Sequence, residues 1–163
     1  MVKNVFVILF CFILIACSSA PTTLSVPITT PTLNLDPEME SAFQEARNTL
    51  NVFTEKIKTP HPDRTYVAVK VRFFPPDTLP QDIWVDGVTY QDGVFHGNFG
   101  DDIPSLKLSF GENIVIHTKD ILDWMLVEDG KLIGGYTIRL AYQRMTPDEK
   151  ERFLKTLDYS LDN

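Results

Sequence analysis

Residues 65–73 read TYVAVKVRF, and this stretch decides the fold. Val67, Val69, Val71 and Phe73 alternate with Tyr66, Ala68, Lys70 and Arg72, the period of a strand with one buried face. Pro75-Pro76 stops it. Downstream, Ile83-Trp84-Val85 and Val88 to Tyr90 read as extended chain on either side of Gly87. Gln91-Asp92-Gly93 is a hairpin turn into Val94-Phe95-His96-Gly97. A loop with Asp101, Asp102 and Pro104 leads to a strand over Ile114 to Thr118. Asp129-Gly130 joins Trp124–Glu128 to Lys131–Ile133 as a second hairpin. The alternation over Thr137 to Tyr142 predicts a further strand.

Helices bracket these strands. Asp36-Pro37 sets an N-cap and a first-turn proline, with Glu38 and Glu40 at the positive end of the dipole. Met39, Phe43, Ala46, Leu50, Phe53 and Ile57 then form one stripe on a helix running to about Lys58 and docking on its own domain. Thr146-Pro147-Asp148-Glu149 opens the last helix, with Phe153, Leu154 and Leu157 expected to face inward. The expected fold is α+β: a strongly bent antiparallel sheet or small open barrel flanked by an N-terminal and a C-terminal helix, over residues 36–163.

The N-terminal segment carries a different signal. Lys3 precedes an apolar run from Val5 to Ala16, too short to span a bilayer as a helix and typical of a secretory signal. Leu14-Ile15-Ala16-Cys17 resembles a bacterial lipobox. That resemblance implies removal of residues 1–16 and acylation of Cys17 as a membrane anchor, with Ser18 favouring the outer membrane where there is one. Cys11, the other of the two cysteines, would leave with the signal. Residues 18–35, rich in Ser, Thr and Pro and free of charge, read as an extended tether.

The whole chain has 163 residues and a net charge of −7. Such an acidic balance argues against nucleic acid as a partner, and anchoring must come from acyl chains rather than a basic patch. No cofactor motif is present. His96, Asp101, Asp102, His117, Asp120 and Asp123 offer metal ligands, but not in a diagnostic spacing, so no metal is expected. No catalytic residue is assigned: Ser105 and Ser109 lie in no nucleophile elbow, and Gly134-Gly135 reads as a bulge or a close backbone approach rather than a phosphate loop, with no helix expected after it.

The most unusual grouping is Asp120-Ile121-Leu122-Asp123-Trp124-Met125 followed by Gly134-Gly135-Tyr136-Thr137-Ile138-Arg139. Together with Trp84, Phe95-His96-Gly97 and Gly111-Glu112, it resembles the family called domain of unknown function 2314, over about Val67 to Leu157. The resemblance implies one compact domain and brings no reaction. Asp123 and Arg139 are expected to pair, or to bind backbone, across adjacent strands, with Trp84 and Trp124 packed nearby. This cluster either specifies the fold or forms a ligand pocket in which Arg139 meets an anion and Trp124 stacks on it. The expectation is a lipid-anchored envelope protein acting as a non-enzymatic binding or scaffolding module. The alternatives are an inhibitor or immunity-type protein masking a protein partner, and an enzyme on a small envelope substrate.

Overall fold

The computed structural model describes residues 36–76 and 78–161. The expected signal segment, Cys17 and the expected tether lie outside them. Asp36 caps α1 (Pro37–Asn48) by accepting the Glu38 amide at 3.0 Å, as its sequence predicts. The long helix then breaks at Thr49 and resumes as α2 (Leu50–Lys58). At Thr49 the hydroxyl turns back onto the Glu45 carbonyl at 2.8 Å, a local competition that bends helices.

Six strands follow: β1 (Arg64–Phe73), β2 (Gln81–Gln91), β3 (Val94–Phe99), β4 (Asn113–Ile116), β5 (Ile121–Glu128) and β6 (Lys131–Gly134). They form one open antiparallel sheet in the order β4-β3-β2-β1-β5-β6, with the 65–73 stretch at its centre. Both Asp-Gly hairpins use left-handed pairs, Asp92 and Gly93 at φ 52° and 85°, Asp129 and Gly130 at 52° and 68°. Those angles suit a two-residue turn that matches strand twist. Gly87, also left-handed, sits within β2, where the β2–β3 register shifts.

The sheet buries its first face under the kinked helix. Phe53 stacks between Phe95 and Trp124, with ring centroids at 5.8 and 5.3 Å, and Ala46, Leu50, Val69, Val85 and Leu126 complete the packing. On the second face, Ala68, Met125, Val127 and Leu132 lie beneath α3 (Tyr136–Arg144) and the chain that follows α4 (Pro147–Thr156). Two expectations are corrected here. Residues 137–142 are helix, not strand, and Leu154 is exposed while Phe153 and Leu157 pack inward. The alternation of Ile138, Leu140 and Tyr142 suits a strand, but Ile138 and Tyr142 are also one helical turn apart, and both pack on the second face. After α4, which opens with the expected capping box, the chain returns to the sheet edge. Leu132 donates to the Ser160 carbonyl and Ser160 to that of Gly130, both at 2.8 Å.

Candidate functional site

Residues directly opposite on neighbouring strands share a face. Lys70 faces Trp84 of β2 and Asp123 of β5, so these three form a row across the second face. Trp124, one residue on from Asp123, points to the first face. It is buried there, and its Nε1 donates to the Ala46 carbonyl at 3.0 Å and to Thr49 Oγ1 at 3.2 Å, the kink of the helix. Trp84 and Trp124 therefore lie on opposite sides of the sheet, and the pocket in which Trp124 would stack on an anion is not formed.

Asp123 is fully buried and meets the start of α3. Its Oδ2 accepts from the Thr137 amide at 2.8 Å and the Thr137 hydroxyl at 2.7 Å, and its Oδ1 from the amides of Trp124 at 2.8 Å and Tyr136 at 3.3 Å. A helix does follow Gly134-Gly135, contrary to the sequence expectation, and its unsatisfied N-terminal amides bind an anion. The anion is the protein's own carboxylate. Gly134 and Gly135, at φ 72° and 64°, make the reversal, and the expected close approach is present: a Cβ on Gly134 would stand 2.5 Å from the Trp124 carbonyl oxygen.

Arg139 does not meet Asp123. From the second turn of α3 its Nε donates to the Gly134 carbonyl at 2.9 Å, Nη2 to Leu132 at 2.8 Å and Nη1 to Leu161 at 2.5 Å. It lines a hollow of about 540 Å³ between α1 and α3, but all three of its nitrogens are engaged by backbone.

Lys70 is the member of this row that sequence reasoning passed over. It stood in TYVAVKVRF only as one polar partner of the alternation. Its Nζ donates to Thr137 Oγ1 at 2.7 Å, lies 4.9 Å from the centroid of the Trp84 ring, and faces the charge of Asp123. Burial pushes the Lys70 ammonium down and the Asp123 carboxyl up, each opposed by the other's charge. At the other end of the sheet Glu128, also buried, accepts from Lys56 Nζ at 2.8 Å and from Arg64 Nε at 2.9 Å. Nothing in the sequence marked that triad, whose carboxylate lies 72 and 64 residues from its two cations.

The remaining candidate ligands stay dispersed. His96 sits on β3 opposite Val115, His117 and Asp120 flank an exposed turn, and Asp123 is held by α3. Among the described residues, no group of three or more His, Cys, Asp or Glu is placed to hold a metal ion.

A family model described as "Uncharacterized protein conserved in bacteria (DUF2314)" matches residues 36–160. The chain belongs to the DUF2314 family. The match extends the region expected from motifs alone to Asp36, the cap of the kinked helix, and to Ser160 at the sheet edge. Two relatives illustrate how the DUF2314 segment is distributed. "Uncharacterized protein YegJ" of Escherichia coli (strain K12) is 29% identical over 116 residues, covering 68% of this chain and 73% of the relative. "Putative ankyrin repeat protein NMB1133/NMB1171" of Neisseria meningitidis serogroup B (strain ATCC BAA-335 / MC58) is 31% identical over 90 residues, 52% of this chain but only 35% of that protein. No solved structure matches this DUF2314 chain.

Proposed function

We propose that this DUF2314 chain is a lipid-anchored bacterial envelope protein whose domain is a non-enzymatic binding module for a protein partner. The observation that carries the reading is where the buried polar groups go. Asp123 is taken up by backbone amides and the Thr137 hydroxyl and Arg139 by backbone carbonyls, while Glu128, which lines the hollow at the end of α2 with Glu55 and His61, is neutralised there by Lys56 and Arg64. Meanwhile the second face beyond β1 stays open: Thr89, Asn98, Asn113 and Val115 are exposed across β2, β3 and β4. The Leu14-Ile15-Ala16-Cys17 motif supports the anchor, and the net charge of −7 suits a basic partner. The ankyrin-repeat description of one relative is in keeping with a protein-binding setting.

Anchoring is tested in cells by replacing Cys17. Cys17→Ala should abolish labelling by a palmitate analogue and move the protein from the membrane to the soluble fraction. An unchanged membrane fraction would overturn the anchor. Photo-crosslinking from Thr89 on the open face should capture one protein in intact cells, where crosslinking from Gln44 on the outside of α1 does not. Equal capture from both positions would overturn the assignment of the face.

A further inference from the structure

Tyr66, Trp84, Met125, Ile138 and Tyr159 line a cavity of about 410 Å³ on the second face, together with the exposed Asp158. A neighbouring cavity of about 360 Å³ shares Tyr66 and Trp84 and adds Asp86 and Asp101. The Tyr66 hydroxyl donates to Asp86, and burial with that carboxylate holds the phenol well above its ordinary titration range, so it stays neutral. Among the described residues no Lys, Arg or His forms an ion pair with Asp86, Asp101 or Asp158. One carboxylate without a cation, Asp158, therefore lines the aromatic cavity, and two more, Asp86 and Asp101, line the hollow beside it across Tyr66 and Trp84.

The chemistry this selects is cationic. An aromatic face attracts an ammonium or guanidinium group, and the Trp84 indole already accepts one, that of Lys70. Lys70 itself forms no ion pair with Asp86, Asp101 or Asp158; its ammonium donates to Thr137 and faces Asp123. Met125 and Ile138 offer apolar surface for an aliphatic stem, and long basic side chains bury their stems while keeping their heads among polar groups. The other hollows carry no such excess. Arg144 is paired with Asp36 and Glu38 beside the one between α1 and α3, and Lys56 and Arg64 are paired with Glu128 beside the one at the end of α2.

We infer that the Tyr66–Trp84–Tyr159 cavity receives a lysine or arginine side chain of the protein partner. Its stem lies on Met125 and Ile138, and its charged head lies among the aromatic rings and the carboxylate of Asp158, with Asp86 in the adjoining hollow behind Tyr66. This rests on the reading of the domain as a protein-binding module and names the chemistry by which it recognises a partner. The overall negative charge would steer a basic surface toward it.

The test uses the full chain in detergent micelles, labelled with 5-fluorotryptophan. The chain has two tryptophans, so two fluorine resonances report separately, Trp84 on the cavity and Trp124 in the opposite core. N-acetyl-lysine methylamide and its arginine counterpart should shift the Trp84 line saturably and leave the Trp124 line in place. The norleucine counterpart, which keeps the stem without the charge, should bind roughly fivefold more weakly. Asp158→Asn and Tyr159→Ala should each weaken lysine-amide binding roughly threefold or more with the Trp124 line unmoved, which also shows that the fold is intact. Equal binding of the norleucine compound would reduce the cavity to an apolar hollow and overturn the proposal. So would binding of choline or N-acetylglucosamine in place of the lysine amide, or unchanged affinity in both variants. The titration needs neither membrane nor partner, so its failure is separable from a failure of the Cys17 or crosslinking experiments.

Discussion

At the scale of single residues, the two buried carboxylates pull the pH dependence of stability in opposite directions. Burial raises the Asp123 carboxyl above its ordinary value of 3.8, despite the donors from Thr137 and Trp124. Its contribution is therefore complete below that value and lost as pH rises through the raised folded pKa. Glu128 is also pushed up by burial, but Lys56 and Arg64 outweigh this and hold it below 4.5. Its contribution is present above 4.5 and lost as pH falls through the lowered folded pKa. Thermal unfolding of Asp123→Asn and Glu128→Gln from about pH 3 to about pH 7 should separate the two. The wild type's advantage over Asp123→Asn should shrink with rising pH, and its advantage over Glu128→Gln should grow, each variant costing about 1–3 kcal/mol where the effect is largest. Parallel curves would refute both assignments. Asp123 was legible as a residue that binds local amides, because Asp beside a turn often does so. Lys70 was not, since alternation identifies which strand positions are polar but not what lies across from them.

At the scale of elements, the hairpins, both outer helices and the central strand could be read from short-range chemistry, in the Asp-Gly turns, the Asp36 and Thr146 caps and the 65–73 alternation. α3 could not. A nine-residue segment with apolar residues at both two- and four-residue spacing fits either element, and the deciding partner is the Asp123 carboxylate, which is remote in sequence and caps the helix from β5. The kink at Thr49 combines its local bond to Glu45 with remote ones. Its hydroxyl is held by Trp124 Nε1 and the Tyr136 hydroxyl, neither near it in the chain. The turn that starts α3 is the most demanding backbone in the domain. Gly134→Ala must accept both a left-handed φ of 72° and a contact of 2.5 Å with Trp124 backbone, so it should cost well over 2 kcal/mol. Gly93→Ala has a left-handed φ but nothing within 4 Å, and should cost only about 1–2 kcal/mol. Chemical denaturation of the two variants measures the gap, and equal losses would show that the Trp124 contact relaxes freely.

At the scale of the whole molecule, Arg139 ties the C-terminus to the sheet. It joins the carbonyls of Leu132 and Gly134 to that of Leu161, while Ser160 pairs with the edge of β6. Arg139→Ala should lower stability by about 3 kcal/mol and make the segment after α4 the first site of protease cleavage. Arg139→Lys should recover little of this, because one ammonium cannot replace a guanidinium that spans three acceptors. A melting temperature unchanged in Arg139→Ala would show that the tail holds without it. The start of α1 is closed over a far longer stretch of chain, with Asp36 and Glu38 paired to Arg144 at the end of α3. The central strand β1 waits for β5 as well as β2. These closures have a consequence for the order of events during synthesis. A nascent chain that has emerged only as far as β4 holds a central strand with one side unpaired and a kinked helix whose anchor, Trp124, is still inside the ribosome. Long-range pairing of this kind folds slowly. The contacts of Ser160 and Leu161 with β6 and Arg139 can form only after those residues have emerged, so this edge of the sheet is the part of the fold closed latest during synthesis.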